Sequence, residues 1–179
     1  NDFFNHIIND KITVLPIMPI NITDMFDEDS HRLPSPELLK NVRIITSSGG
    51  NVTAKMITDI EKYFVGAKFF SMHGLTEAFR STYLEPSQLK IRPESIGKAI
   101  PDVELYVIDE NGNECPPRVV GELIHRGGYI YKGFWNAPKT TEQRFKSIQI
   151  LKNIVNLEGQ LSDEIVVKTG DYVYKDEEG

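Results

Sequence analysis

The chain has 179 residues, with 20 basic and 26 acidic side chains and a net charge of −6. Hydrophobic residues make up 40% of it and charged residues 26%, the composition of an ordinary globular domain with a sizeable core. The acidic balance argues against general nucleic-acid binding, and the single Cys115 excludes an internal disulfide framework and a multi-cysteine zinc site. No apolar run reaches the roughly 20 residues of a membrane span, so we expect a cytoplasmic protein.

The first half of the chain alternates helix and strand patterns. A helical pattern at 3–8 precedes an apolar, irregularly extended segment at 14–20, which Pro16 and Pro19 interrupt. The β-branched run at 42–46 predicts a buried strand.

A helix and a second strand are predicted directly after that strand. Thr53 is the expected N-cap, apolar residues recur at helical spacing over 56–64, and Gly66 is expected to end the helix in a left-handed conformation. The run at 68–72 predicts the next strand. Strand, helix and strand at this spacing form a βαβ unit, which implies a parallel sheet with a right-handed crossover.

After Pro93 the pattern changes to short strands separated by turns. Strands at 104–108 and 121–126 flank Asn111-Gly112, a strong hairpin signal, and 165–167 predicts another strand. One helix is expected to interrupt this region, with Asn136 as its cap and Pro138 in its first turn. Its apolar face would carry the side chains of Thr141, Phe145 and Ile148.

These patterns predict an α/β chain of two subdomains. Residues 1–92 would form a βαβ parallel-sheet subdomain, and residues 93–179 a small, distorted, antiparallel β-barrel-like subdomain that Trp135 anchors. The chain starts without Met inside a helical pattern and stops at K-D-E-E-G, a turn that usually leads into a strand. We therefore expect a piece of a longer polypeptide.

The first candidate for chemistry is the loop Ser47-Ser48-Gly49-Gly50. Two glycines allow a ligand to approach the backbone closely, and ligands of open α/β sheets bind at the carboxyl ends of strands. Taken alone, this loop is more often a simple strand-to-helix turn.

Two further motifs follow strands. Residues 71–77 offer a ring, a glycine, a hydroxyl and a carboxylate, which suit a base, a phosphate and Mg²⁺. Thr169-Gly170-Asp171, at the end of the last predicted strand, offers a carboxylate that can hold both hydroxyls of a ribose. Taken alone, Thr169-Gly170-Asp171 also fits an ordinary turn. Glu77 alone could be a carboxylate in the first turn of a helix, where the helix dipole favours it.

The order of the motifs resembles that of the adenylate-forming superfamily, which contains acyl-CoA synthetases, adenylation domains of peptide synthetases and luciferases. The resemblance covers residues 40–179 and is most like that of bacterial acyl-CoA ligases. The matching elements, in the family's order and approximate spacing, are S-G-G (48–50), H-G-L-T-E (73–77), S-I-G-K-A-I-P (95–101), G-E-L-I-H-R-G (121–127), K-G-F-W-N-A-P-K-T-T (132–141) and T-G-D (169–171).

This resemblance implies an AMP-forming acid–thiol ligase. Such enzymes condense a carboxylic acid with ATP to an acyl-adenylate and pyrophosphate, and pass the acyl group to coenzyme A or to a carrier-protein pantetheine. The attacking carboxylate is already ionised, so the reaction needs positioning and charge screening more than acid–base help. That agrees with a sequence in which we find no Ser/His/Asp or Cys/His arrangement.

The resemblance also implies roles for individual residues. Thr76 would bind the α-phosphate, Glu77 would hold Mg²⁺, and Asp171 would bind the ribose. Gly49 and Gly50 would line the adenine and acyl pocket, His73 would flank adenine, and Gly74 would belong to the same nucleotide-binding site.

His73 stands where the family usually has Tyr. The imidazole can stack on adenine, but it changes charge near neutral pH, so a weaker or pH-dependent contact is implied.

The family's Ser/Thr/Gly-rich phosphate loop is absent from residues 1–40, and the chain ends before the hinge and mobile domain would follow. The resemblance therefore implies the later part of the large N-terminal domain, inactive in isolation.

Two alternatives remain open: a non-catalytic nucleotide-binding or scaffold domain of the same fold, and an amino-acid-activating adenylation domain. An unrelated dinucleotide-binding fold is disfavoured, because no G-x-G-x-x-G follows a strand.

Overall fold

Residues 2–27, 33–159 and 163–179 are described by the computed structural model of the chain. The chain divides into two units: the first contains residues up to Gly74 together with Thr82–Lys98, and the second contains Leu75–Ser81 together with Ala99–Gly179. The chain thus leaves the first unit for seven residues, 75–81, which belong to the second. The domain division at residue 92 stays a prediction.

The first unit is built on a mixed β-sheet with helices. The strand order of this sheet is β1-β2-β3-β4-β5, in which β1, β2 and β3 are parallel, β4 is antiparallel to β3, and β5 begins at Lys98, the last residue of the unit. The predicted parallel βαβ unit is confirmed as β2, α3 and β3. The elements in chain order are α1 (Asp2–Asn9), β1 (Val14–Ile17), α2 (Pro19–Met25), β2 (Ile44–Ser47), α3 (Ala54–Tyr63), β3 (Lys68–His73), β4 (Thr82–Leu84) and β5 (Lys98–Ala99).

Helix α3 has the boundaries that its sequence signals predict. The hydroxyl of Thr53 accepts the backbone N–H of Met56 at 3.3 Å, which satisfies an N-terminal donor of the helix. Ile57 and Ile60 are buried against the core of the first unit. Gly66 follows the helix with a φ of +86°, a conformation that glycine adopts without strain.

The segment at 14–20 is more regular than the sequence indicates. Val14–Ile17 forms the strand β1, and Pro19 is the first residue of helix α2. Pro16 is tolerated because β1 is the edge strand of the sheet, and Pro19 because the first helical N–H needs no helical partner.

The second unit contains a four-stranded antiparallel sheet in the order β6-β7-β9-β8. In the described part of the chain these strands form an open sheet, not a closed barrel. Trp135 is 93% exposed, so the prediction that it anchors a barrel was wrong. The elements are β6 (Val103–Ile108), β7 (Gly121–Gly127), α4 (Pro138–Arg144), β8 (Phe145–Ser147) and β9 (Ile165–Val173).

Helix α4 is shorter than predicted and is capped differently. Its N-cap is Ala137, whereas Asn136 has a φ of +51° and lies outside the helix. Pro138 is in the first turn, as predicted. Phe145 already belongs to β8, where it pairs in register with Val167 of β9, and its side chain packs with Val167 and Ala78.

The predicted hairpin of β6 and β7 is confirmed. The carboxylate of Asp109 accepts the backbone N–H groups of Asn111 and Asn113 at 2.9 and 2.8 Å, which holds the turn. These bonds, that to Asn113 above all, lower the pKa of Asp109. No helix within the described ranges has the length and apolar character to cross a bilayer.

Candidate functional site

The carboxyl edge of the parallel strands lies in the first unit. Ser47 at the end of β2 pairs in register with Ser71 of β3, so the loop 48–50 and the pair His73-Gly74 follow at the same edge. Gly49 has a φ of +87°, and a Cβ on Gly50 would lie 3.4 Å from the ring of Pro19. The structure therefore brings Gly49, Gly50, His73 and Gly74 to one end of one sheet, where open α/β sheets bind ligands.

Ser47 adds an unusual feature to this edge. Its side chain is 1% exposed, and its hydroxyl has no hydrogen-bond partner among the described residues. A buried hydroxyl without a partner is costly, and such groups mark places where a ligand or water completes the bonding.

His73 is the last residue of β3 and pairs in register with Thr82 of β4. The strand ladder thus holds its backbone, and its side chain is half-buried. The following residue, Gly74, is the last residue of the first unit before the chain enters the second unit at Leu75.

The segment 75–81 has its backbone fixed within the second unit. Leu75 and Ala78 exchange backbone hydrogen bonds at 3.1 and 3.2 Å. Ala78 is completely buried, packs with Phe145 and Val167, and forms a β-bridge with Ile130.

Glu77 is anchored through its backbone, because its carbonyl accepts the N–H of Tyr131 at 3.0 Å. Thr76 is exposed and Glu77 half-buried, and neither side chain makes a hydrogen bond or ion pair within the described ranges. The backbone of this segment is therefore held, while the Thr76 hydroxyl and the Glu77 carboxylate make no bond within the described ranges.

Thr169-Gly170-Asp171 forms a bulge inside β9 rather than the strand end that its sequence predicts. Lys168 pairs with Ile124 and Tyr172 with Glu122, so the single residue Leu123 lies opposite the three residues of the motif. Bulges re-aim side chains and often contain glycine, which makes a continuous strand resemble a terminated one in sequence.

The bulge is stabilised by its own threonine. Thr169 is buried, and its hydroxyl donates to the carbonyl of Leu123 at 2.9 Å. The same hydroxyl accepts the backbone N–H of Asp171 at 3.1 Å. Asp171 is half-buried and lies in the same unit as Thr76 and Glu77.

Arg144, the last residue of α4, is not identified by any motif in the sequence. Its guanidinium donates to the backbone carbonyls of Thr169 and, at 3.3 Å, of Lys168. The sequence signal is a basic residue in the last helical turn, which by itself indicates only a favourable interaction with the helix dipole.

A second guanidinium, that of Arg126, organises charges on β6 and β7. It makes two bonds to the carboxylate of Glu164, at 2.7 and 3.0 Å, and one to Glu104 at 2.9 Å. The Tyr106 hydroxyl donates to Glu104 and lowers the pKa of that carboxyl, with a further contribution from Arg126. Burial of the phenol is the main cause that raises the pKa of Tyr106 to about 12, and the hydrogen bond to Glu104 adds to it. This network joins strands, and although Arg126 belongs to the G-E-L-I-H-R-G element, that element does not indicate these partners.

Comparison with known proteins shows the family to which the chain belongs. A family model described as AMP-binding enzyme matches residues 1–135. A linear gramicidin synthase of Brevibacillus parabrevis is 33% identical over 125 residues, which are 70% of this chain and 2% of that one. A long-chain-fatty-acid–CoA ligase of Escherichia coli is 28% identical over 135 residues, or 75% of this chain and 21% of the ligase.

The fold is shared with solved structures. O-succinylbenzoate coenzyme A synthetase of Bacillus subtilis, in complex with ATP and a magnesium ion, superposes with a TM-score of 0.74 at 22% identity. The superposition covers 99% of this chain and 32% of that enzyme, so the chain spans about a third of its length. The chain belongs to the AMP-binding family of adenylate-forming enzymes, whose members include acyl-CoA ligases and adenylation domains.

Proposed function

We propose that this chain is part of an AMP-forming ligase that joins a carboxylic acid to a thiol. In the first step a carboxylate oxygen attacks the α-phosphorus of ATP, and the bond to pyrophosphate breaks. In the second step the thiol of coenzyme A or of a carrier-protein pantetheine loses its proton to solvent, its thiolate attacks the acyl carbon, and AMP leaves with the bond between the acyl carbon and the phosphate oxygen broken. The first step needs no dedicated protein base, because the attacking carboxylate is already ionised.

The fixed backbone of the segment 75–81 is the observation that carries this proposal. The contacts of Leu75, Glu77 and Ala78 are made by backbone or buried atoms, which leaves the Thr76 hydroxyl and the Glu77 carboxylate for a ligand. We assign Thr76 to the α-phosphate and Glu77 to Mg²⁺. A bound Mg²⁺ would screen charge on the triphosphate.

One carboxylate is a sufficient protein contribution to such a metal ion. Within the described ranges, no group of three or more His, Cys, Asp or Glu side chains is arranged to hold a metal. Mg²⁺ in phosphoryl-transfer sites is commonly bound by one or two carboxylates, with substrate phosphates and water completing its shell. Glu77 fits that pattern.

We assign the remaining residues to the nucleoside and the acyl group. Asp171, on the T-G-D bulge, would accept hydrogen bonds from the ribose hydroxyls. His73 and Gly74 would flank adenine, and Gly49 and Gly50 would line the adenine and acyl pocket, which fits their common sheet edge. The one cysteine, Cys115, is buried and unpaired, which supports a reducing compartment such as the cytoplasm.

ATP–pyrophosphate exchange by the intact polypeptide that contains these residues tests the proposal. Fatty, aromatic and amino acids are offered in parallel, and acid-dependent exchange is expected. Exchange with amino acids alone would favour an amino-acid-activating domain, the alternative that 33% identity to a gramicidin synthase supports. AMP binding without exchange by any acid would indicate a non-catalytic domain.

A variant pair links the activity to the site. Thr76→Val removes the hydroxyl and keeps the side-chain shape, so exchange should fall roughly 100-fold, as for the loss of one oxyanion donor. Thr140→Val, at an exposed position of α4, is the matched control and should exchange at the wild-type rate. Equal rates for both variants would contradict the role of Thr76.

A further inference from the structure

We propose that Arg144 is a positioning residue for the ribose of the nucleotide, which acts by holding the T-G-D bulge in the conformation that presents Asp171. This proposal rests on the proposed function, in which Asp171 binds the ribose. Arg144 lies 27 positions before Asp171 in the sequence and makes its contacts with the backbone of the bulge, not with a side chain.

Arg144 binds one carbonyl of the bulge, that of Thr169, and one directly beside it, that of Lys168. Where Leu123 faces three residues of β9, the regular ladder of the two strands is interrupted. Backbone N–H and C=O groups that lose their ladder partners must form other hydrogen bonds when they are shielded from water. The Arg144 guanidinium supplies donors to the carbonyls of Thr169 and Lys168.

Two sets of hydrogen bonds hold this turn, one at the N–H of Asp171 and one at the carbonyl of Thr169. From β7, the Leu123 carbonyl accepts the Thr169 hydroxyl, which in turn accepts the Asp171 N–H. From α4, Arg144 donates to the Thr169 carbonyl. The peptide groups on both sides of Gly170 are therefore held, and the direction in which Asp171 leaves the backbone is set.

Gly170 is the residue that permits this approach. Its φ is +77°, and a Cβ at this position would collide with the Arg144 guanidinium. Gly66 has a similar φ without such an approach, since a Cβ there would meet nothing within 4 Å.

The test compares AMP with 2′,3′-dideoxy-AMP by calorimetric titration of the intact polypeptide. Wild type should prefer AMP, and Asp171→Ala should abolish that preference. Arg144→Ala should lower the AMP affinity about tenfold to a hundredfold, the range for losing bonds to a charged group, with little change for the dideoxy nucleotide. Arg144→Lys, which keeps the cation but not the fork of donors, should give an intermediate ratio.

Arg118→Ala is the matched control. Arg118 is an exposed arginine of the same unit that pairs with Glu177, and its removal should leave both nucleotide affinities unchanged. Circular dichroism shows that each variant is folded. If Arg144→Ala does not fold, the lysine variant decides alone, and an unchanged ratio of affinities overturns the proposal.

The outcomes separate this inference from the proposed function. A wild-type ratio in Arg144→Ala, or an equal loss for both nucleotides, overturns the positioning role while Asp171 keeps its assignment. A wild type without ribose preference, or an Asp171→Ala variant that retains it, overturns the assignment of Asp171 and the inference together.

Discussion

The imidazole Nδ1 of His125 lies 2.7 Å from the hydroxyl oxygen of Ser81, and both residues are almost completely buried. The Ser81 hydroxyl donates to the carbonyl of Ala78 at 3.2 Å, so it accepts from the N–H at Nδ1. Ser81 ends the segment that carries Thr76 and Glu77, and His125 lies in β7. The pair therefore ties that segment to the sheet of the second unit.

Ser81→Ala should destabilise the protein by about 1–3 kcal/mol, because a buried imidazole N–H loses its acceptor. Unfolding in urea measures the change, and Ser87→Ala, at an exposed serine, is the control with an expected effect within about 0.5 kcal/mol. Adding His125→Leu to Ser81→Ala should cost less than the sum of the two single changes, since the orphaned N–H is removed. Strict additivity would contradict the contact.

Local signals explain which parts of the fold the sequence predicts. Helix α3 has a capping threonine, a regular apolar face and a terminal glycine, all within 14 residues of sequence, and the structure has each of them. The β6–β7 hairpin likewise depends on the turn that Asp109 closes with its nearest neighbours.

Long-range contacts account for what the sequence could not predict. Ser81 and His125 are 44 positions apart, and Arg144 and Thr169 are 25 apart. Within a single sequence, nothing marks these residues as partners. The bulge in β9 resembles the end of a strand in sequence for the same reason, because its register is set by pairing with β7.

Gly170→Ala should destabilise the protein more than Gly66→Ala does. Both glycines have a left-handed φ, which costs a residue with a Cβ roughly 1–2 kcal/mol. At Gly170 the new methyl group would also displace the Arg144 guanidinium from the carbonyls of Thr169 and Lys168, whereas at Gly66 it has open space. In an Arg144→Ala background the cost of Gly170→Ala should approach that of Gly66→Ala. Equal costs in both backgrounds would contradict this displacement.

Tyr106 should titrate later than an ordinary tyrosine. Burial and the Glu104 carboxylate raise its pKa from 10.0 to about 12. Because the folded pKa lies above the unfolded one, the stabilising contribution is complete below pH about 10 and is lost as the pH rises through about 12. Ultraviolet difference titration of wild type against Tyr106→Phe isolates this phenol among the seven tyrosines. If the transition that Tyr106→Phe removes lies at the ordinary tyrosine pKa instead, the network around Arg126 is contradicted.

In the intact polypeptide, the Glu77 carboxylate should set the Mg²⁺ requirement of adenylate formation. Glu77→Ala should lower adenylate formation by orders of magnitude, because Mg²⁺ loses its proposed protein carboxylate and the triphosphate charge is screened less well. The fold should be preserved, since the Glu77 contact with Tyr131 is made by the backbone carbonyl. Pyrophosphate release, measured over a range of Mg²⁺ concentrations, should show a higher Mg²⁺ requirement together with the lower rate. Glu110→Ala, at an exposed position of the β6–β7 turn, is the control. Near-wild-type turnover of Glu77→Ala with an unchanged Mg²⁺ requirement would show that this carboxylate does not hold the metal.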